Sequence, residues 1–388
     1  MTDASSAPRW PGSVALVLAS STGGVGQHVR SVARGLTAAG ATVVVCGPAA
    51  TQEQFDFTAV GARFEPVEIP ASPTPADARA VAALRRVLNS TEVDVVHAHG
   101  LRAGLVAVLA RPAAPLVVTW HNAVLASGLR GALSRLAERV VARGARVALG
   151  ASADLVDRAA ALGATDARLA PVAAPTLPAP RRRRAAVRAE FGVDAERPLI
   201  VSVGRLHPQK RYDLLIDAAA RWRTRTPAPV VVIAGSGPAY LPLAARISAA
   251  RAPVTLLGHR TDVAELLTGA DLAVVTSDWE ARQLFAQEAL RAGVPLVATS
   301  VGGLPGLVGD AAVLVPPGDV DALDAAVREL LDDPERRAAL SRLGAQRAAT
   351  WPTEADTVAA LSGLYAELAA QRSGPTAPDA GAPSTGHR

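Results

Sequence analysis

Short, almost uninterrupted apolar runs alternate along this chain with longer stretches that read as amphipathic helix. In the first half the runs fall at 14–19, 42–46, 64–69, 93–98, 116–119 and 146–149, with helical stretches such as 27–39 and 76–88 between them. A run that is apolar at successive positions predicts a strand buried on both faces. Strands alternating with helices predict a parallel sheet covered on either side. Segment 171–184, PVAAPTLPAPRRRR, breaks the pattern with prolines and an arginine run and reads as a linker. The alternation then restarts, with runs at 199–203, 230–234, 254–257, 272–275, 296–298 and 312–314. The expected fold class is therefore α/β: two doubly wound domains, 12–170 and 196–350, joined by a linker over 171–195. A last helix within 351–371 is expected to cross back toward the first domain. The Pro/Gly/Ala/Ser-rich tail 372–388 is expected to be disordered. Ligands of such folds bind outside the carboxyl ends of the strands, here in a cleft between the domains.

Composition narrows the function classes. A chain of 388 residues, 49% hydrophobic, is long enough for two self-sufficient cores. The single cysteine, Cys46, excludes a disulfide framework, a multi-cysteine zinc site and an iron–sulfur cluster, and suits a reducing compartment. No run approaches the roughly 20 apolar residues of a membrane span, and 101–118 is interrupted by Arg102, Arg111, Pro112 and Pro115. Residues 1–11 do not read as a signal peptide, so a soluble cytoplasmic protein is expected. Lysine and arginine total 40, of which Lys210 is the one lysine. Arginine is evidently the default cation, as in a GC-rich genome, so the net charge of +5 says little about nucleic acid, and aromatic stacking residues make up only 3%. A lone lysine against that background needs a reason.

Four places carry candidate chemistry. The loop Ser20-Ser21-Thr22-Gly23-Gly24-Val25-Gly26 follows a strand and opens a helix, where glycines admit a phosphate or sugar close to the backbone. A dinucleotide fingerprint fails there, because its third glycine falls on Val29 and the second strand ends Val45-Cys46-Gly47 without a ribose-binding acid. A tight βα turn is the plainer reading of the same loop. Next, His97-Ala98-His99 and Trp120-His121-Asn122 end two neighbouring apolar runs. His97 and His99, two apart on a strand, share a face, but no further ligand pattern accompanies them, so a metal is not expected. Third, Val203-Gly204-Arg205-Leu206-His207-Pro208-Gln209-Lys210-Arg211 leaves a strand and enters a helix. Arg205 offers a planar fork and Lys210 a compact ammonium, a pairing suited to a diphosphate. Finally, Glu280 and Glu288 stand eight apart, one in a loop after a strand and one inside the next helix. They suit two hydroxyl pairs along one ligand, or equally a helix cap and a salt bridge.

Taken together these stretches resemble glycosyltransferase family 4, retaining enzymes of the two-domain GT-B fold, in a version of actinobacterial type. The resemblance runs from about position 14 to 368. It rests on the Gly23-Gly24 loop, Asp94-Val-Val-His97, Val203-Gly-Arg-Leu with Lys210, Ile233-Ala-Gly-Ser-Gly237-Pro238, Leu257-Gly-His259 and the Glu280/Glu288 pair followed by Ala-Leu-x-Ala-Gly-Val-Pro. It implies that Arg205 and Lys210 hold the donor diphosphate, that Glu288 accepts ribose hydroxyls, and that Glu280 meets the donor sugar. Backbone amides of Arg282, Gln283 and Leu284 are expected to contact the same sugar. Gly23 and Gly24 would admit the β-phosphate and acceptor, His121 would sit beside the sugar, and the base would lie against His259 and Arg260. Two departures stand out. Relatives often read Glu-Gly-Phe-Gly where this chain has Glu280-Ala281-Arg282-Gln283, which leaves the sugar preference open. Pro171-Val-Ala-Ala174 replaces a common Pro-Asn-Gly, which puts the interdomain contacts in doubt.

The resemblance further implies hexosyl transfer from a nucleoside diphosphate sugar, with an α-linked product and no cofactor or metal. The acceptor would be a cell-envelope glycan, a lipid or a small molecule. Two other readings remain open: a sugar-nucleotide 2-epimerase of the same architecture, and an inactivated transferase serving as a binding module. The stretch 129–146, LRGALSRLAERVVARGAR, fits either peripheral contact with an anionic membrane or a solvated arginine face over a core helix.

Overall fold

The computed structural model describes residues 10–21, 23–72, 77–123 and 128–373. The start of the chain, Ala76 at the head of the expected 76–88 helix, and positions 374–388 of the expected tail lie outside the described residues. The first sheet comprises β1 (Ser13–Leu18), β2 (Thr42–Gly47), β3 (Arg63–Pro66), β4 (Val95–His99), β5 (Leu116–Trp120), β6 (Val147–Gly150) and β7 (Ala167–Leu169). The second comprises β8 (Leu199–Val203), β9 (Val230–Ala234), β10 (Val254–Gly258), β11 (Leu272–Val275), β12 (Leu296–Thr299) and β13 (Val313–Val315). Strand orders are β3-β2-β1-β4-β5-β6-β7 and β10-β9-β8-β11-β12-β13, parallel throughout.

Side-chain alternation between two buried layers explains why the central strands are apolar at nearly every position. In β1, Ala15 and Val17 enter one buried cluster with Val96 and Ala98 of β4, while Val14, Leu16 and Leu18 enter another with Val95. In β8, Leu199 and Val201 face one layer and Ile200 the other. Each fully buried valine or leucine contributes about 1.5–3 kcal/mol relative to exposure, which holds helices on both faces. The helix Gly24–Ala38 covers the first sheet through Val29, Val32, Ala33 and Leu36, a three-and-four spacing.

The progression of strand order reverses between β1 and β4 in the first sheet, and between β8 and β11 in the second. Loops after those strands diverge and open a crevice at each carboxyl edge. The Gly23-Gly24 loop follows β1 and His99 ends β4. The Gly204–Lys210 loop follows β8 and the Thr276–Glu280 loop follows β11.

Three features were not anticipated. β7 has three residues, none buried, and therefore no apolar signature. β3 ends at Pro66, short of the expected 69, although Val67 and Ile69 remain buried beyond it. The expected linker is partly built into the second unit. Its arginine run enters a helix, Arg184–Glu190, and the backbone amides of Arg181 and Arg182 donate to the Glu265 carboxylate at 2.6 and 3.1 Å. Buried Arg188 donates to the carbonyls of Asp194, Arg197 and Gly269 and to Asp271. Near its start, Gln287 and Arg291 bond the backbone of Val172 and Ala174, so this segment keeps interdomain contacts without the Pro-Asn-Gly sequence.

The final helix, Glu354–Ser373, lies on the first sheet's unit. Tyr365 is fully buried against Trp10, and its hydroxyl meets His97 Nδ1 at 2.5 Å. Elsewhere, the helix Gly128–Gly144 buries Val141, Ala142 and Glu138, the last bound by both Arg158 nitrogens. Its outer face exposes Leu133 and Leu136 by 60% and 59%, with Val140 a turn further. No helix among the described residues is long and apolar enough to cross a membrane.

Candidate active site

The loop after β8 is braced from behind by the loop after β9. Gly204 N donates to Ala234 O, Leu206 N to Ser236 O and Ala239 N to Leu206 O, at 2.9, 2.9 and 3.0 Å. Gly235, at φ +156°, lies so close that a Cβ there would stand 1.9 Å from the Gly204 carbonyl oxygen. The Ile233-Ala-Gly-Ser-Gly stretch therefore supports the backbone that presents Arg205. The Arg205 side chain is exposed and has no hydrogen-bond or ion-pair partner among the described residues.

Lys210 ends a 3₁₀ turn, Pro208–Lys210, and its ammonium donates to Glu280 Oε1 at 2.5 Å. Ser277 Oγ donates to the same oxygen, also at 2.5 Å. Backbone and side-chain bonds lock the two loops together. Asp278 N donates to Gln209 O, Gln209 Nε2 to Trp279 O, and Thr276 Oγ1 to Lys210 O, each at 2.8 Å. Gly302, at φ +50°, packs against the Glu280 carbonyl, where a Cβ would stand 2.2 Å away. Ser277 and Gly302 escaped the sequence reading; a serine three residues before the glutamate was the available signal for the first.

Glu288 lies on the helix Leu284–Arg291. Burial pushes its carboxyl up to about 7, opposed by Arg291, and it has no hydrogen-bond partner among the described residues. An unpartnered, largely buried carboxylate is suited to a ligand diol. Gln283 caps this helix, its Oε1 accepting from Ala286 N at 2.5 Å. Leu284 meets the other domain: a Cβ on Gly24 would stand 3.1 Å from Leu284 Cδ1. Gly23 is exposed as the N-cap of the helix Gly24–Ala38. Trp279 Nε1 donates to Asp154 Oδ2 at 3.1 Å, a second link across the crevice.

On the first sheet, Val95, His97 and His99 of β4 share a face, and the β5 register extends it to Thr119 and then His121. The helix Gly24–Ala38 covers that face and adds His28. His97 is structural, its two ring nitrogens engaged by Tyr365 and Thr119 at 2.5 and 2.7 Å. His99 Nδ1 and His121 Nε2 lie 3.2 Å apart, and the His28 ring centroid is 5.5 Å from each of theirs. Burial pushes His28 down to about 4, and His99 and His121 well below the usual imidazole range. All three are neutral at pH 7. His97 and His99 share a face as expected, but the trio whose nitrogens converge is His28, His99 and His121.

The Arg282 side chain meets no carboxylate among the described residues. Its guanidinium stacks over Trp351 at 5.5 Å, with Arg291 at 5.9 Å from the same ring, and its Nε and Nη2 are buried without a partner. Burial, then Arg291 and Arg347, push it down to about 10. Arg260 follows β10 beside exposed His259, but its guanidinium is engaged by Asp262 and Glu190 at 2.6–2.7 Å. The one D-x-D in the sequence, Asp319-Val320-Asp321, supplies a helix cap to Ala322 N and an ion pair to Arg221.

Two parallel sheets with switch-point loops on facing carboxyl edges, one carrying a cation pair and two carboxylates, define a protein of GT-B type. Residues 23–175 match the family described as "Glycosyl transferase 4-like domain", and 183–347 match "Glycosyl transferases group 1". A D-inositol 3-phosphate glycosyltransferase of Thermobispora bispora is 34% identical over 310 residues, 71% of this chain and 70% of that protein. An alpha-D-kanosaminyltransferase of Streptomyces kanamyceticus is 33% identical over 196 residues, 48% of this chain. The match spans half the length of the latter protein. Among solved structures, Anabaena Alr3699/HepE in complex with UDP superposes with a TM-score of 0.76 at 20% identity, covering 92% of this chain and all of that one. The chain belongs to glycosyltransferase family 4, the group 1 glycosyltransferases.

Proposed function

We propose that this protein is a retaining glycosyltransferase that moves a hexose from a nucleoside diphosphate sugar to an acceptor hydroxyl, without a divalent metal. The observation that carries the reading is the convergence of the only lysine, Lys210, with Glu280 at the β8/β11 switch point, beside an unpartnered Arg205. In the reaction the anomeric C–O bond to the diphosphate breaks and the acceptor oxygen bonds to the same face of that carbon. The acceptor proton passes to the departing phosphate oxygen. Negative charge builds on the diphosphate, and Arg205 and Lys210 are preorganised to stabilise it. The incoming diphosphate takes Lys210 from Glu280, which frees the glutamate for sugar hydroxyls. Glu288 accepts the ribose hydroxyls, Gly23 and Gly24 admit the β-phosphate, and neutral His121 hydrogen-bonds the sugar. His259 and the backbone near Arg260 border the base. A neighbour solved with UDP supports a uridine donor, the names of both curated relatives support transfer of a sugar, and that of the D-inositol 3-phosphate glycosyltransferase supports a small acceptor.

Calorimetric titration of UDP, GDP and ADP in the presence of a chelator tests this reading. One nucleotide is expected to bind with a clear preference. With its sugar panel and an acceptor, the product should carry an α-linkage by NMR. An epimerised sugar nucleotide formed without acceptor would instead identify the epimerase. Failure of all three nucleotides to bind would leave the inactive binding module.

We also propose that the protein works in the cytoplasm with its Gly128–Gly144 helix against an anionic leaflet. Exposed Leu133, Leu136 and Val140 alternate on that face with exposed Arg135, Arg139 and Arg143, an apolar and cationic mixture suited to an interface. Co-sedimentation with phosphatidylglycerol vesicles, but not with phosphatidylcholine ones, is expected. Leu133→Glu with Leu136→Glu should abolish it. Equal recovery with both vesicle types, or an unaffected double variant, contradicts the docking face.

A further inference from the structure

We propose that His28, His99 and His121 bind one transition-metal ion of the zinc or cobalt(II) class, and that the bound ion blocks sugar transfer. The blocking half rests on the proposed role of His121; the binding half does not.

The geometry comes from three separate elements: the first turns of the helix Gly24–Ala38, the end of β4, and the residue after β5. Candidate ligand nitrogens of the three residues all lie within 4.8 Å of one another, and the three side chains are buried. Two nitrogens on a tetrahedral zinc, each about 2.05 Å from the metal, stand about 3.3 Å apart. His99 Nδ1 and His121 Nε2 already stand 3.2 Å apart. His28 closes the set by a side-chain rotation, from a ring inclined by 70° and 67° to the other two.

The chemistry also favours an ion. In the protein alone, one of the two facing nitrogens must carry the proton between them, and His99 Nε2 is left buried with no partner. A metal between them accepts both lone pairs, and the shared proton moves to the far nitrogen of the ring that carried it. An imidazole-only set selects zinc, cobalt, nickel or copper over magnesium or calcium. Three protein ligands leave a fourth position open to water or to a sugar or phosphate oxygen. His97, one ring away, is closed to the ion because Tyr365 and Thr119 occupy both its nitrogens.

Ligation of His121 withdraws the nitrogen proposed to meet the donor sugar and puts an ion in its path. Transfer should therefore fall as zinc rises, and recover when a chelator is added.

The test uses full-length protein stripped with a chelator and titrated with cobalt(II) chloride, read by visible ligand-field absorption, and with zinc chloride, read by calorimetry. One equivalent is expected to bind, with intense tetrahedral bands. His28→Ala and His99→Asn should each weaken binding about 10- to 100-fold, whereas His259→Ala should not. Circular dichroism and melting matching the parent show that each variant folds. His28→Ala should still transfer sugar and resist zinc about tenfold better than the parent. Absence of one-to-one binding, or affinity unchanged in both His28→Ala and His99→Asn, overturns the site. Stoichiometric metal with undiminished transfer overturns the blocking role alone. If no sugar is transferred under any condition, the cobalt spectrum still decides the site, and the transferase reading fails separately.

Discussion

Lys210→Ala is expected to lower kcat by about 100- to 1000-fold, a loss of about 2.7–4 kcal/mol of transition-state stabilisation. The ammonium sits half-buried between the two loops that leave the second sheet's switch point, so its field on a leaving diphosphate is only partly screened by water. Lys210→Arg should not rescue the rate. A planar fork on a different stem cannot take the place of a point charge that also reaches Glu280 Oε1 at 2.5 Å. The companion Glu280→Gln should retain nucleotide affinity within about threefold while losing turnover, because in the proposed arrangement the sugar and not the nucleotide meets that carboxylate. Steady-state kinetics with circular dichroism as a fold check decides the matter. A kcat within about threefold of the parent in Lys210→Ala would remove the lysine from the chemistry.

The second large effect concerns Glu288, where binding and stability pull in opposite directions. Its carboxyl is raised from about 4.5 to about 7 by burial. Below pH 4.5 it is protonated in both folded and unfolded chains, so its effect on stability is nil. Between pH 4.5 and 7 the unfolded chain gives up the proton and the folded chain keeps it. Stability is lost across that window, at about 1.4 kcal/mol per pH unit and about 3 kcal/mol in all. Glu288→Gln should therefore melt above the parent at pH 8 and near it at pH 4.5. The same substitution should cost most of the nucleotide affinity, since an amide oxygen replaces a carboxylate opposite two ribose hydroxyls. In the parent, affinity should rise as pH passes upward through 7, because only the ionised form accepts both hydroxyls. A melting difference independent of pH would mean that Glu288 is not held protonated. Unchanged nucleotide binding would mean that it does not face the ribose.

Much of the fold was legible because its signals are local. Strands buried on both faces are apolar at nearly every position, so twelve short stretches could be placed within a few residues, and βα alternation then leaves few arrangements. β7 was not legible: with no buried face it has no apolar pattern to read. Lys210 stood out for a different reason, a compositional one. In a chain whose cations are otherwise arginine, a single lysine marks a position where a compact ammonium does something a guanidinium does not.

Partnerships over long sequence separations were not legible, and they decide the site. Lys210 and Glu280 are 70 positions apart and meet because β8 and β11 are neighbours at the point where strand order reverses. Arg282 reads from sequence as a pocket residue. Its fate depends on Trp351, which the helix Pro334–Ala349 delivers to that place, and burial against an aromatic face outcompetes exposure for a long aliphatic stem. His97 and His99 are alike in sequence. Tyr365, brought by the returning last helix, saturates one and leaves the other to His121. Side-chain periodicity and residue chemistry by themselves determined the layers, the strand-end loops and the kinds of group at each crevice. Only the tertiary structure decided which groups face one another, because hydrogen bonds and ion pairs form over about 3 Å while strand order sets proximity among residues a hundred positions apart.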